Sequence, residues 1–440
     1  MSMPVPAPAS SCDVVVIGGG LSGKAASLHL AKAGLKVTCI EPAQAVRQAV
    51  GESLDWSSPD LLRELGLPAE VLIKTQTATW KRHVVLKMIH GAPEDYTPLT
   101  WLGGAPFHVE LSTIHVDRLR LDQELQESVT NLGITMVHDK VVRVETNGKR
   151  VSAVQTAGGQ SFSAPWYIDA SGFAACILAR EFKLPAIHTG PPKVAVWTYF
   201  PVSEAMEGTT LHMQPMPAEY LEWIWEIPVN PDVVSVGFVT TGAAMKAKRD
   251  QGLAVEEIFR RQLSKFPRFQ SLLQAGAIGA PYVTSFRGRV YRGAAGPNWL
   301  VVGEAASMVD PITSNGVTAA LRHAQEASAL ILKYRQRAEL PLIARFCYSC
   351  RVSQMARFFN MGIEKIVYET PVRNRIGLRH AGTVYISPAW GMNVVYARLK
   401  PSGVFSTMLL GLSLGFFRAS TWLLHRFCKL LPQPARAEGC

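Results

Sequence analysis

One βαβ unit near the start of the chain constrains the fold more than any other feature. Asp13 to Ile17 (DVVVI) is a continuous β-branched run of the kind buried on both faces of a parallel sheet, and it leads into Gly18, Gly19, Gly20, Leu21, Ser22 and Gly23. A helix follows, with Ala25, Leu28, Ala31 and Ala33 at its small and apolar positions and Gly34 as its stop. Leu35 to Ile40 (LKVTCI) is then a second strand ending at Glu41. GxGxxG in the first turn and an acid at the end of the second strand mark a dinucleotide-binding unit. Gly18 permits the tight turn, Gly20 lets the backbone approach a pyrophosphate, and Gly23 lets helix and strand pack closely. The helix N-terminus receives the phosphate charge, and Glu41 is placed to accept hydrogen bonds from an adenosine ribose.

The rest of the chain bears on which dinucleotide. His115–Leu125 reads as a helix and Gly133–Glu145 as strands. Trp166–Gly172 (WYIDASG) reads as a buried strand ending in an acid and a small-residue turn. Trp299–Ala306 (WLVVGEAA) reads as another buried strand, running through Asp310–Gly316 (DPITSNG) into a long helix, Val317–Tyr334. Several returns to one sheet suit an extended cofactor, so FAD fits better than NAD. With 440 residues, 48% apolar and 18% charged, the chain can bury a large core, which excludes disordered, collagen-like and disulfide-scaffold classes. The seven cysteines are scattered and no signal peptide precedes them, so the expected compartment is the cytoplasm.

These motifs resemble the FAD-dependent aromatic hydroxylase fold and, within it, the flavin-dependent halogenases. Gly18, Gly20 and Gly23 match the glycine fingerprint, Arg118 the arginine ahead of a leucine-rich acidic helix, and Asp169–Gly172 the DASG turn. Gly51–Leu54 (GESL), containing Ser53, match the phenol and pyrrole halogenases, and Trp223–Pro228 match the halogenase WxWxIP motif completely. Thr79, Trp80 and Lys81 resemble the stretch carrying the family's catalytic lysine. The family's ribityl-binding Asp is Glu304 here, after Gly303.

The resemblance implies an α/β fold: a doubly wound FAD-binding domain (13–75, 105–180 and 290–335) with an inserted antiparallel-sheet substrate domain (76–104 and 181–289). A flexible leader (1–12) and a basic, largely helical C-terminal region (336–440) flank them. It also implies that reduced FAD, supplied by a separate flavin reductase, reacts with O2 and with chloride or bromide to halogenate an electron-rich aromatic. That aromatic is a phenol, resorcinol or pyrrole, free or on an acyl-carrier protein. Lys81 would relay hypohalous acid, as an ammonium that polarises it or as an amine that forms a haloamine, with Lys74 and Lys87 as competitors. Ser314 joins Lys81 as a catalytic candidate. Trp223 and Trp225, two apart and on one face of a strand, would keep the substrate ring from the flavin. Ser53, Arg118, Asp169, Gly303, Glu304, Pro311, Asn315 and Gly316 would join the fingerprint glycines and Glu41 in binding FAD, and backbone amides at Asn315 and Gly316 would bind the halide. The family's phenylalanine before DP is Val309. The glutamate that precedes the serine in tryptophan halogenases is Thr313. Two other readings stay open: an FAD monooxygenase, and a membrane-associated flavoprotein like the prenyl reductases.

Neither zinc nor another metal is expected, because the Cys347/Cys350 pair stands alone in a helical stretch and the histidines lack ligand spacing. No nucleic-acid motif appears. Residues 331–440 carry a formal +12 against −1 for the rest, so the C-terminal quarter is expected to face something negative. An acidic carrier could dock on Arg373, Arg375 and Arg379. Alternatively 404–431 could attach peripherally to the inner face of a membrane, or pack against the flavin domain. In 404–431 an apolar, hairpin-like run (Val404–Phe417) precedes a helix with Arg418, Trp422, His425 and Lys429 on one face and Leu423, Leu424, Phe427, Leu430 and Leu431 on the other.

Overall fold

Val14–Ile17, all four residues at most 2% exposed, form the middle strand of a five-stranded parallel sheet. The computed structural model describes residues 12–42, 49–89, 93–95, 113–203, 207–376 and 403–432. The sheet order is Trp299–Val301, Trp166–Asp169, Val14–Ile17, Val37–Ile40, Thr135–Val137. Strands buried on both faces need helices on both sides, and fully burying each valine contributes about 1.5–3 kcal/mol. The helices Leu21–Lys32 and Asn315–Tyr334 pack together on this sheet. The expected strand over Trp299–Ala306 is shorter: pairing ends at Val301, and Gly303–Ala305 turns as a 3-10 helix with Gly303 at φ +58. A side chain on Gly303 would meet Ser22 Oγ at 2.6 Å, so the turn brings this corner onto the first helix.

The second sheet has eight strands in the order Ser307–Met308, Tyr282–Tyr291, Ala186–Pro201, Val233–Thr241, Tyr220–Asn230, Thr209–Met216, Val84–Met88, Pro93–Asp95. It is mixed rather than antiparallel throughout, because Thr209–Met216 runs parallel to Val84–Met88. The strands also cut across the expected segment boundaries. Ala78–Lys81 pairs with Thr113–Val116 as a separate ribbon, and Ser307–Met308 joins the large sheet. Alternation divides the sheet faces: Trp223 and Trp225 enter one core with Phe358, Phe359 and Ile363, while Ile224 enters another under the helices Gly242–Asp250 and Val255–Ser264.

Among the described residues the C-terminal region is helical: Leu342–Gly362, a π-helical turn Ile363–Tyr368, Pro371–Ile376 and Val404–Leu430. Cys347 and Cys350 lie in the first of these. The expected hairpin-like run and separate amphipathic helix are instead one 27-residue helix. His425 is buried, while Trp422, Lys429 and the apolar Leu423, Leu424, Phe427 and Leu430 are exposed, so this end does not bury its apolar side chains against the flavin domain. The arginine cluster at Arg373, Arg375 and Arg379 lies outside the described side chains, as does the leader apart from Cys12.

Candidate functional site

A cavity of about 770 Å³ runs from the glycine turn to the large sheet. At its glycine-turn end are Gly20, Ser22, Arg118, Gly172, Glu304 and Gly316, and at its far end Thr209, Leu211, Trp223, Trp225 and Ile227. The three fingerprint glycines divide their duties. A Cβ on Gly18 would lie 2.4 Å from Ala170 O and one on Gly23 1.8 Å from Gly18 O, whereas a Cβ on Gly20 would meet nothing within 4 Å. Gly18 and Gly23 therefore close the turn, and Gly20 opens onto the space beside the helix N-terminus. Glu41, at the end of its strand, accepts the Gly19 amide at 2.5 Å. Arg118 is buried, donates to Val50 O at 2.9 Å and lies 3.7 Å from Asp122, while its Nε finds no protein acceptor. Burial pushes the Glu304 carboxyl up, against the pull of Arg118 and Arg289. An open glycine turn, an orphaned guanidinium nitrogen and the two acids Glu41 and Glu304 fit FAD.

Two expected cofactor residues face elsewhere. Asp169 is fully buried and its carboxylate accepts from Ser171 N, Ser171 Oγ and Leu178 N, so it shapes the turn beneath the cavity. The Asn315 side chain folds back onto Thr313, donating to its Oγ1 at 2.7 Å, and lines a small separate pocket. Gly316 and Pro311 line the main cavity. Ser314, the residue that caps this helix, sits at φ +61, a left-handed conformation costly for a serine.

Lys81 is 2% exposed, whereas Lys74 lies on the surface and Lys87 is half-buried. The strand Ala78–Lys81 directs its Nζ to Leu54 O at 2.9 Å and Ser314 Oγ at 3.5 Å, with the Trp56 ring 5.6 Å away. Lys81 thus stands behind the cavity wall, reaching it through Ser314. Burial brings its pKa down to about 7, against the opposing pull of Asp55. A hydroxyl chain continues from there: Ser314 donates to Ser53 at 3.0 Å, Ser53 meets Thr209 at 3.1 Å, and Thr209 meets His115 Nε2 at 2.8 Å. Burial, with the charges of Lys81 and His83, holds His115 well below its ordinary pKa. Sequence reasoning missed Thr209 and His115, because the contacts join segments far apart in the chain.

Trp223 and Trp225 share a face, with ring centroids 5.7 Å apart. Gly237 makes room for Trp225, since a Cβ there would lie 2.3 Å from the indole. Trp225 Nε1 donates to Ser235 Oγ at 3.1 Å, and Trp223 Nε1 donates to Tyr368 OH at 2.8 Å. Tyr368 in turn donates to Asp310 at 3.1 Å, tying the tryptophan strand to the turn before Ser314. Behind that turn Lys193, also 2% exposed, reaches Glu364 at 2.9 Å and Asp310 at 3.4 Å. Periodicity could not single out Lys193, whose partners come from the Asp310 turn and the C-terminal π-turn.

The tryptophan halogenase family profile matches residues 108–343, and the chain belongs to that family. A lycopene cyclase profile also matches residues 13–195, over the dinucleotide-binding unit. Among individual relatives, the tryptophan 2-halogenase of Chondromyces crocatus is 28% identical over 73% of this chain and 61% of its own length. A flavin-dependent halogenase of Armillaria mellea is 27% identical over 72% of this chain and 64% of its own length. The match thus spans less than two thirds of either relative. The 1H-pyrrole-2-carbonyl-[peptidyl-carrier protein] chlorinase of Pseudomonas fluorescens is 27% identical over 73% of this chain and 76% of that protein. The solved structure of flavin-dependent brominase Bmp2 has the same fold, with TM-score 0.72 at 19% identity over 95% of this chain and 100% of that one. The flavin-dependent halogenase CmlS superposes with TM-score 0.71 at 22% identity, over 94% of this chain and 77% of that one.

Proposed function

We propose that this protein is an FAD-dependent halogenase acting on an electron-rich aromatic of the phenol, resorcinol or pyrrole type. The observation that carries the reading is Lys81: a buried lysine, opening through Ser314 onto a cavity whose far wall is Trp223 and Trp225. The glycine turn, Arg118 and Glu41 would hold FAD, with Glu304 near its ribityl chain. Bound and reduced by a partner reductase, FAD would supply the oxygen-activating chemistry that oxidises chloride or bromide. The backbone at Gly316, at the positive end of the helix Asn315–Tyr334, is suited to the halide. The two hydrogen bonds to Leu54 O and Ser314 Oγ suit either protonation state, and the role we assign is that of the ammonium, polarising hypohalous acid toward the ring through Ser314. The two indoles fence the aromatic substrate away from the flavin and leave the small oxidant as the species that travels.

Thr313, where tryptophan halogenases carry glutamate, argues against free indole as substrate. The carrier-linked pyrrole named for the Pseudomonas fluorescens relative makes a tethered substrate the form to test beside free phenols. The reaction belongs in the cytoplasm, where a reductase can supply flavin. The test is incubation with reduced FAD, O2 and either halide, with free and carrier-loaded phenols, resorcinols and pyrroles, read by mass spectrometry. Halogen isotope patterns are expected, and oxygenated products without halogen would assign a monooxygenase. Gly20→Val, which fills the open side of the turn, should abolish flavin retention.

A further inference from the structure

The C-terminal helix Val404–Leu430 has two faces of different character. Its inner face is fastened to the protein: Leu410 and Leu414 enter the core with Phe358 and Phe359, Cys428 is fully buried, and Lys429 Nζ lies 2.9 Å from Glu369 Oε2. Its outer face is a stripe of large apolar side chains. Phe405 is 80% exposed, Leu412 71%, Phe416 70%, Leu423 60%, Phe427 58% and Leu430 80%. The 27 residues extend about 40 Å, and so long an apolar stripe exceeds what a soluble surface ordinarily exposes.

We propose that this face is a docking surface for an anionic lipid membrane, with the helix lying flat in the interface. The helix cannot span the bilayer while its inner face is packed against Leu342–Gly362 and tied to Glu369. Charge selects lipid over a second copy of the chain. The helix Val404–Leu430 itself holds Arg418, Arg426 and Lys429 and no acid, so two copies meeting here would repel, whereas an anionic surface is complementary. Trp422 stacks under Arg426, 5.4 Å from ring centroid to guanidinium, and both are exposed near the charged end. An aromatic ring and a cation side by side suit the boundary between acyl chains and headgroups. A membrane-bound enzyme would meet apolar aromatic substrates where they accumulate.

Flotation of the full chain with vesicles tests this independently of any halogenation. Wild type should float with phosphatidylcholine/phosphatidylglycerol vesicles and about tenfold more weakly with phosphatidylcholine alone. Leu412→Glu/Phe416→Glu should lose binding to both by at least about tenfold while keeping the flavin spectrum and melting temperature, since both side chains point outward. Arg426→Glu should weaken only the phosphatidylglycerol preference. Light scattering supplies the opposing outcome. A wild-type dimer that the double variant converts to monomer, with no vesicle binding, would make the stripe a seam between copies. A monomer that ignores both vesicles would overturn the proposal as well.

Discussion

Lys81 and Lys193 are equally closed to water, yet the protein surrounds them in opposite ways. Lys193 faces two carboxylates, Glu364 at 2.9 Å and Asp310 at 3.4 Å, and lies 4.1 Å from the Tyr368 ring centroid. Lys81 donates to a carbonyl and a hydroxyl, and burial brings its pKa to about 7. A fully paired buried charge is structural, because each partner answers for the other's desolvation. A buried lysine poised near neutrality is unstable electrostatically and chemically useful. The contrast is the ground on which we propose chemistry at Lys81 and scaffolding at Lys193, where the π-turn, the tryptophan strand and the Asp310 turn meet.

The sharpest break of this contrast is the activity of Lys81→Met. Loss of the donor should lower kcat for halogenation by about 10²–10⁴-fold with flavin binding and flavin oxidation intact. Retained halogenation in that variant would dissolve the distinction between the two lysines. The donor role also fixes the pH dependence. Activity should fall as pH rises through about 7, where Lys81 loses its proton. A rate that climbs through the same pH would instead assign the free amine.

Lys193→Met should act on stability. It leaves Glu364 and Asp310 facing each other without their cation, and Glu364 is already pushed up by burial with Lys193 opposing. The expected cost is about 3–5 kcal/mol in denaturant unfolding at neutral pH. Protonation of Glu364 would relieve part of the repulsion, so the deficit should narrow on acidification. A variant as stable as wild type would deny the cluster its structural role.

The two lysines also differ in how much the sequence disclosed. Lys81 is marked by its neighbours Thr79 and Trp80 and by the halogenase resemblance, and the glycine fingerprint is legible because Gly18 and Gly23 each answer a local steric demand while Gly20 leaves the space beside the helix open. Lys193 leaves no local trace: its partners lie 117 and 171 residues downstream, in a turn and a π-helix that tertiary packing assembles. Asp169 and Asn315 are instructive in the other direction. Motif position suggested that both face the cofactor, but local hydrogen bonds turn their side chains into their own turns. The single C-terminal helix is not legible in the sequence, because hydropathy divides at Arg418 where the backbone helix continues unbroken.

Next in size is the effect of Lys81→Met on stability, opposite in direction to that at Lys193. The ordinary lysine pKa of 10.5 is brought to about 7 by folding, so between those values the unfolded chain holds more protons than the native one. Native stability therefore carries a full penalty below pH 7 and sheds it as pH rises toward 10.5. Replacing the amine with an isosteric apolar chain removes the penalty. The variant should gain up to a few kcal/mol at pH 6, with the gain vanishing above about pH 10. Melting curves across pH measure this. A variant destabilised at every pH would mean that the interactions of Lys81 outweigh the desolvation of its charge.

Ser314 gives the smallest and most specific prediction. Its hydroxyl accepts from Lys81 and donates to Ser53, linking the lysine to the cavity wall. Removing an acceptor from an ammonium disfavours the charged form, so Ser314→Ala should move the alkaline fall in activity to lower pH and reduce kcat/KM by about tenfold. Backbone strain must be separated from this, because Ser314 sits at φ +61 and alanine inherits that conformation. Ser314→Gly relieves the strain while also removing the hydroxyl. If the hydroxyl is what matters, Gly and Ala should show the same shifted pH profile, with Gly the more stable of the two. If only the backbone shape matters, Gly should retain the wild-type profile, and the path from Lys81 to the cavity would have to run through another group.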